Sequence, residues 1–485
     1  MSPKVVEKVP LCVDLDGTLI RTDLLWESIA LLLKQSPMAL FLLPLWLVRG
    51  RAYLKRQLAR RVKLNPTLLP YRGETIEWLK SERAAGRRLV LTTASDEHTA
   101  KSIAAHLGIF DEVIASDGAR NLKGAAKLEV IEQRFATGFD YAGDSIADNV
   151  IWNHARKAIA VEAPHDVVQE LARTGKLERT FASESNRWTV WRRALRLHQW
   201  SKNFLILVPV ITSHRVLDAT ALFRSLQMFL GFGFCASALY LVNDLLDLAS
   251  DRAHPEKCSR PLARGDVSIF AAFIAIPLLL AAGFGITASL GRFCEAVLFC
   301  YCCVSFCYSL WLKTRAPLDV FLLSGLYTVR ILAGGVATHI WLTGWLLSFS
   351  VFLFMSLAFT KRLAELRLLR TMSRQESNGR GYLTADFELV TALAVSAGFI
   401  SSLVLAFYVN SDQVRVLYRE PLYLWLLFPV LLYWLTKLWL LAFRGELRED
   451  PVLYAIKSPS TYAAGFVSFL LLVVAKFDLP ARLLR

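Results

Sequence analysis

Val9-Pro10-Leu11-Cys12-Val13 runs directly into Asp14-Leu15-Asp16-Gly17-Thr18. A short apolar run that stops abruptly at two carboxylates is the signature of a buried strand ending at the polar rim of a parallel sheet. Two more such runs follow, RLVLT at 88–92 and FDYA at 139–142, with helix-like stretches between them. That rhythm predicts an N-terminal α/β, Rossmann-like domain. Between the first two runs lies an insert, residues 20–85, with an apolar helical pattern. Its segment SPMALFLLPLWLV at 36–48 carries two prolines and is too short for the ~20 apolar residues of a spanning helix. We read it as part of a helical cap in preference to a membrane-surface anchor.

The polar residues at the ends of these runs form a chemical set. A tight loop after the first strand presents Asp14 and Asp16 on the same side of the chain. The second strand ends in the hydroxyls of Thr93 and Ser95. Lys123 and Lys127 open a helix, and Gly143-Asp144-Ser145 with Asp148 closes the third strand. Phosphoryl transfer needs a carboxylate nucleophile, an acid for the leaving alcohol, a cation and a hydroxyl for the phosphoryl oxygens, and carboxylates to hold a metal. All are present in a workable order. Over residues 8–170 this resembles the haloacid dehalogenase superfamily of phosphohydrolases. The resemblance implies Asp14 as nucleophile, Asp16 as general acid/base, and Thr93 for phosphoryl binding. It also implies Mg²⁺ among Asp14, Asp16, Asp144 and Asp148. For the lysine, Lys127 fits a helix start better than Lys123 beside Gly124.

The composition of the whole chain differs from that of its first 185 residues. Of 485 residues, 54% are hydrophobic, with 13 Trp and 29 Phe, and 56 Lys plus Arg against 41 Asp plus Glu leave a formal charge of +15. This excludes a disordered, collagenous or disulfide-stapled protein and points to a membrane. The start, MSPKVVEKVPLCVDLDG, lacks the apolar core of a secretory signal, so residues 1–185 are expected to form a cytosolic domain and 186–485 a membrane domain. Cys300, Cys302, Cys303 and Cys307 lack paired metal-ligand spacing and are read as small core packers.

From residue 186 a basic, aromatic stretch, RWTVWRRALRLHQWSKN, leads into apolar segments of near-spanning length. We count nine: 204–216, 221–243, 268–288, 293–312, 318–338, 341–359, 388–410, 422–443 and 460–479. The expected fold is therefore multidomain, the α/β domain followed by an all-α transmembrane bundle of about nine helices. Loops after the even-numbered segments hold most of the basic residues. By the positive-inside rule they face the cytoplasm, as in a bacterial inner membrane, on the side of the N-terminal domain. No nucleic-acid partner is expected, and a homo-oligomer stays open.

At the end of the second segment the sequence reads Asn243-Asp244-Leu245-Leu246-Asp247-Leu248-Ala249-Ser250-Asp251, followed by Lys257 and Arg260. On one continuous helix Asp244, Asp247 and Asp251 share a face. Acids at membrane depth are costly without a function; with Mg²⁺ they become a receptor for a diphosphate, whose remaining oxygens Lys257 and Arg260 can contact.

This NDxxDxxxD pattern followed by HPxKxxRP resembles the UbiA superfamily of intramembrane prenyltransferases, over residues 190–480. The family's second aspartate-rich motif is replaced by Lys361-Arg362-Leu363-Ala364-Glu365, a basic loop with one acid. One branch, the decaprenyl-phosphate phosphoribosyltransferases, joins two phosphorylated substrates, and Lys202, Lys313 and Arg330 lie in segments similar to that branch. Fusion of such a transferase to a domain that consumes phosphomonoesters leads us to expect a bifunctional Mg²⁺-dependent enzyme. Phosphoribosyl diphosphate and polyprenyl phosphate would give a ribose 5-phosphate lipid, and the N-terminal domain would remove the 5-phosphate. Two alternatives are a prenyltransferase acting on an aromatic, quinone-like or haem-like acceptor, and a lipid-phosphate carrier with a regulatory domain.

Overall fold

The computed structural model describes residues 9–182, 186–371, 381–447 and 451–477. They pack as two compact units, Met1–Leu195 with Tyr240–Pro277, and Arg196–Leu239 with Leu278–Arg485. Residues 240–277, which carry the acidic motif, therefore pack with the N-terminal part of the chain.

Six parallel strands form the sheet of the first unit: β1 (Leu11–Val13), β2 (Leu89–Asp96), β3 (Glu112–Ser116), β4 (Asp140–Gly143), β5 (Ala158–Val161) and β6 (Leu177–Phe181), in the order β3-β2-β1-β4-β5-β6. Side chains alternate across a strand, and here both faces are covered. Leu11, Val13, Leu89, Leu91 and Ile159 enter one core; Cys12, Val90, Tyr141, Ala158 and Ala160 enter the other. Between β1 and β2 come helices α1 (Leu24–Gln35), α2 (Leu43–Val48), α3 (Arg51–Arg61) and α4 (Gly73–Ala84), with a 3-10 run Pro37–Leu42 joining α1 to α2. The first three form their own core of Ile29, Leu32, Trp46, Leu54 and Leu58. Ile76, Trp78 and Leu79 of α4 belong to the sheet core, so the cap is narrower than the expected 20–85. Helices α5 (Glu97–Leu107), α6 (Ala125–Arg134), α7 (Asn149–Trp152) and α8 (His165–Arg173) complete the two layers.

Eight helices among the described residues are long and apolar enough to cross a membrane: Ala219–Leu246, Ile269–Ala288, Arg292–Leu310, Leu318–Thr338, Gly344–Thr371, Thr384–Val409, Pro421–Arg444 and Pro459–Phe477. The expected first span, 204–216, is not among them. It falls on a 3-10 run, Leu197–Leu207, and a five-residue helix, Val208–Thr212, with Pro209 near its start. Its backbone is held against Leu318–Thr338, where a side chain at Gly334 would collide with the Ile206 carbonyl. Close approach through small residues also joins Gly398 to Trp439, as is common where apolar solvent gives helices no other reason to associate. The cysteine expectation needs correction. Cys300 and Cys303 face outward and Cys302 and Cys307 are half-buried, because a helix in an apolar environment has no need to hide small apolar side chains.

Candidate functional site

Register brings the first set of acids together. β1 pairs with β4 so that Val13 lies opposite Ala142, and the Asp14 N–H donates to the Ala142 carbonyl at 2.9 Å. Asp14 therefore leaves the sheet beside Gly143 and Asp144. Gly17 turns the chain with φ +77°, and a Cβ there would land on the Asp144 carboxylate, so this position requires glycine for both reasons. Asp14 Oδ2 is 2.9 Å from Lys127 Nζ. Lys127 also donates to the Tyr141 hydroxyl, which donates to Asp148 Oδ1 at 2.9 Å. Asp148 Oδ2 accepts from the Ser145 N–H and hydroxyl, and Thr18 donates to Asp144.

One oxygen from each of Asp14, Asp144 and Asp148 lies within 4.8 Å of the others. Burial pushes the Asp144 carboxyl up to about 8, and the charges of Asp14 and Asp148 push the same way. Burial likewise raises Asp14, against the opposing pull of Lys127. Burial alone would lower Lys127, but Asp14 and Asp148 outweigh it and hold the ammonium above the usual lysine range. Three converging carboxylates with one lysine leave negative charge uncompensated, and hard oxygen donors at this spacing fit a Mg²⁺-sized cation. Asp16 stands apart from this group. Its two oxygens accept from the Leu24 N–H and the Ser95 hydroxyl, which correct its expected place among the ligands.

Asp14, Asp16, Lys127, Asp144 and Asp148 line a cavity of about 380 Å³. Lys123 is also on its wall, while it is Lys127 that reaches Asp14. Thr93 is fully buried with its hydroxyl accepting the Ser95 N–H, so it stands behind the wall and Ser95 makes the contact with Asp16. Sequence reasoning missed Lys55 of α3, which lines the cavity and donates to the Ala94 carbonyl at 2.6 Å; a lone basic residue in an insert gives no signal. It also missed Trp26, Ser268 and Ile269 on the same wall.

The acidic motif departs from expectation. Asp247 leaves helical geometry at φ −96° and ψ 9°, ending Ala219–Leu246 before a short helix, Leu248–Arg252, begins. Asp244 and Asp251 still meet, but on a guanidinium: Arg260 donates to Asp244 at 3.2 Å and to Asp251 at 2.6 Å. The three acids thus do not form an open ligand set in this arrangement. Asn243 precedes Asp244 on Ala219–Leu246, and Lys257 lies on the 3-10 turn Lys257–Ser259. Arg252 turns away to a buried, two-pronged contact with Glu27 of α1.

In the second unit the basic residues gather around aromatic rings. Arg330 is buried, donating to Asn203 at 3.0 Å and to the Tyr301 hydroxyl at 3.1 Å. Lys202 lies 5.4 Å from the centre of the Tyr327 ring, and Arg330 5.8 Å from the same ring, within cation–π range. Arg362, next to Lys361, is fully buried between Asp319 at 2.7 Å and Glu365 at 2.6 Å, and Tyr382 donates to the other Asp319 oxygen. Asp319 lies 43 positions away, which is why the loop looked basic. Lys313 lies on a separate 3-10 turn, Leu312–Thr314.

A family model described as the UbiA prenyltransferase family matches residues 206–470, more than half of the chain. The chain belongs to the UbiA prenyltransferase family. Residues 11–149 match a haloacid dehalogenase-like hydrolase, so this UbiA-family protein carries such a domain at its N-terminus. Its spanning helices make it an integral membrane protein. The uncharacterized protein y4nM of Sinorhizobium fredii is 37% identical, covering 94% of this chain and 89% of that one. The nodulation protein NoeC of Azorhizobium caulinodans is 35% identical, covering 55% and 87%. The decaprenyl-phosphate phosphoribosyltransferase of Mycolicibacterium smegmatis is 33% identical over 42% of this chain and 66% of its own length.

Proposed function

We propose that this UbiA-family protein transfers phosphoribose from phosphoribosyl diphosphate to a polyprenyl phosphate and then hydrolyses the 5-phosphate. The observation that carries the reading is the complete Asp14, Lys127, Asp144 and Asp148 cluster in the same chain as the transferase. A phosphoribosyl product keeps a phosphomonoester for such a site to remove. Transfer of a prenyl group to an aromatic ring releases only diphosphate and leaves no monoester on the product. The likeness to decaprenyl-phosphate phosphoribosyltransferases supports the first step.

In that step an oxygen of the lipid phosphate attacks the anomeric carbon, the bond from that carbon to the diphosphate oxygen breaks, and diphosphate leaves. The lipid phosphate is already ionised near neutral pH, so catalysis is mainly positioning and charge compensation. Lys202, Lys313, Arg330 and Lys361 are the groups we assign to substrate phosphates, with Arg260 and Lys257 facing the leaving diphosphate. Asp244 and Asp251 hold Arg260, with Asn243 and Asp247 beside them in the chain. Since Arg260 satisfies two of these acids, no step is assigned to a metal there.

In the second step the Asp14 carboxylate attacks phosphorus while Asp16 protonates the departing ribose oxygen; Asp16 then takes a proton from the water that cleaves the aspartyl phosphate. Lys127 holds Asp14 in place and offsets phosphoryl charge. Asp14, Asp144 and Asp148 would hold Mg²⁺, which supplies further charge compensation when bound. On this reading both sites face the cytoplasm of a bacterial inner membrane.

The test is mass spectrometry of lipid products from purified protein given polyprenyl phosphate and labelled phosphoribosyl diphosphate. Wild type should yield a ribose lipid, and Asp14→Asn its 5-phosphate. Chelation of divalent cations should stop hydrolysis. Consumption of a prenyl diphosphate with no use of phosphoribosyl diphosphate would overturn the reading in favour of an aromatic prenyltransferase.

A further inference from the structure

We propose that the cap segment Pro37–Val48 lies in the surface of the bilayer, and that the cavity beside it takes a phosphomonoester carried by a membrane lipid. The chemistry of this proposal rests on the phosphatase reading above; the lipid is argued from the surface and the cavity wall.

Pro37–Val48 contains no charged residue. Its inward side is fixed by Trp46, buried in the cap core with Arg61 against its ring. Its other side is bare: Met38 is 80% exposed, Phe41 78%, Leu45 63% and Val48 87%. A contiguous apolar strip of this kind marks a binding surface. Exposed Lys34, Arg49 and Arg51 flank it, the arrangement that suits anionic headgroups around an apolar face. At 12 residues it lies on a bilayer and cannot cross one.

Continuity selects lipid as the occupant. The cap core is packed against Phe273, one turn into the spanning helix Ile269–Ala288. Trp26 of α1 has its ring centre 4.8 Å from that of Phe270 and 5.8 Å from that of Phe273. Phe270 and Ile274 of this helix remain about half exposed, so its outer face and the cap strip belong to one packed unit at the point where a spanning helix begins. The same helix start completes the phosphatase cavity, whose wall includes Ser268, Ile269 and Trp26 together with Asp14 and Lys127. A phosphate linked to a lipid can thus enter with its phosphoryl group toward Asp14 while its tail stays in the bilayer.

Two measurements on the full chain in liposomes of phosphatidylglycerol and phosphatidylcholine test this. p-Benzoylphenylalanine in place of Phe41 should crosslink to phospholipid on irradiation, whereas the same group in place of exposed Gln133 on α6 should not. The triple variant Met38→Glu, Phe41→Glu, Leu45→Glu should hydrolyse a lipid-anchored phosphomonoester, phosphatidic acid, at least tenfold more slowly than wild type. Its rate on ribose 5-phosphate should stay within twofold. Absence of lipid crosslinks at 41, or an equal loss on both substrates, would overturn the proposal. A wild type that hydrolyses neither substrate with Mg²⁺ would overturn the phosphatase reading and the substrate half of the proposal with it, while the crosslink still decides the surface.

Discussion

Glu27 and Arg252 lie 225 positions apart and form a buried, two-pronged ion pair, with contacts of 2.5 and 3.1 Å. Arg252 directly follows the last acid of the membrane motif, and Glu27 sits on the first cap helix. Arg252 also donates through Nε to the Ala263 carbonyl at 2.8 Å, so it fixes the loop after the motif while it holds the cap. Removing one partner leaves a charge in a site with almost no solvent. Glu27→Gln should cost about 3–5 kcal/mol, read as a lowered unfolding temperature in detergent. The exchanged pair Glu27→Arg with Arg252→Glu should recover part of the loss.

Gly17→Ala places a methyl group on the Asp144 carboxylate at a backbone angle that disfavours a side chain. Misplacing Asp144 against Asp14 by an ångström should lower monoester hydrolysis on the order of 100-fold, with transfer to the lipid phosphate unchanged. Separate assays of the two half-reactions read this directly.

Lys127→Met removes the cation among Asp14, Asp148 and the incoming phosphoryl group. Hydrolysis should fall by about 100- to 1,000-fold in kcat. The phosphorylated lipid should then accumulate, as with Asp14→Asn, in lipid extracts examined by mass spectrometry.

Arg330→Lys keeps the charge but cannot span Asn203 and the Tyr301 hydroxyl together. The unpaired buried groups should cost about 1–3 kcal/mol. Transfer should fall while hydrolysis of ribose 5-phosphate continues; a variant that impaired both equally would place Arg330 outside the transfer site.

Much of the site was legible because its signals are local. A strand that stops at Asp14 and Asp16, and another that stops at Asp144, announce a shared rim, and parallel pairing of β1 with β4 brings the two ends together. What escaped was set by distant partners. Glu27 sits in a cap helix with nothing nearby to mark it as the partner of Arg252. Asp319 gives no hint that it will neutralise Arg362. The break in the acidic motif has a local reason: equal spacing on a helix assumes unbroken helical geometry, and Asp247 departs from it. The span at 204–216 failed similarly, since hydropathy carries no information on the 3-10 backbone that seats Asn203 beside Arg330.

The first unit takes residues 240–277 from the middle of the transferase sequence. A gene cut after residue 195 would therefore not release two finished proteins. The separated hydrolase would display Trp26 and a naked Glu27, and the remaining transferase would carry Arg252, Asp266 and Phe273 without the Glu27, Arg21 and cap core that receive them here.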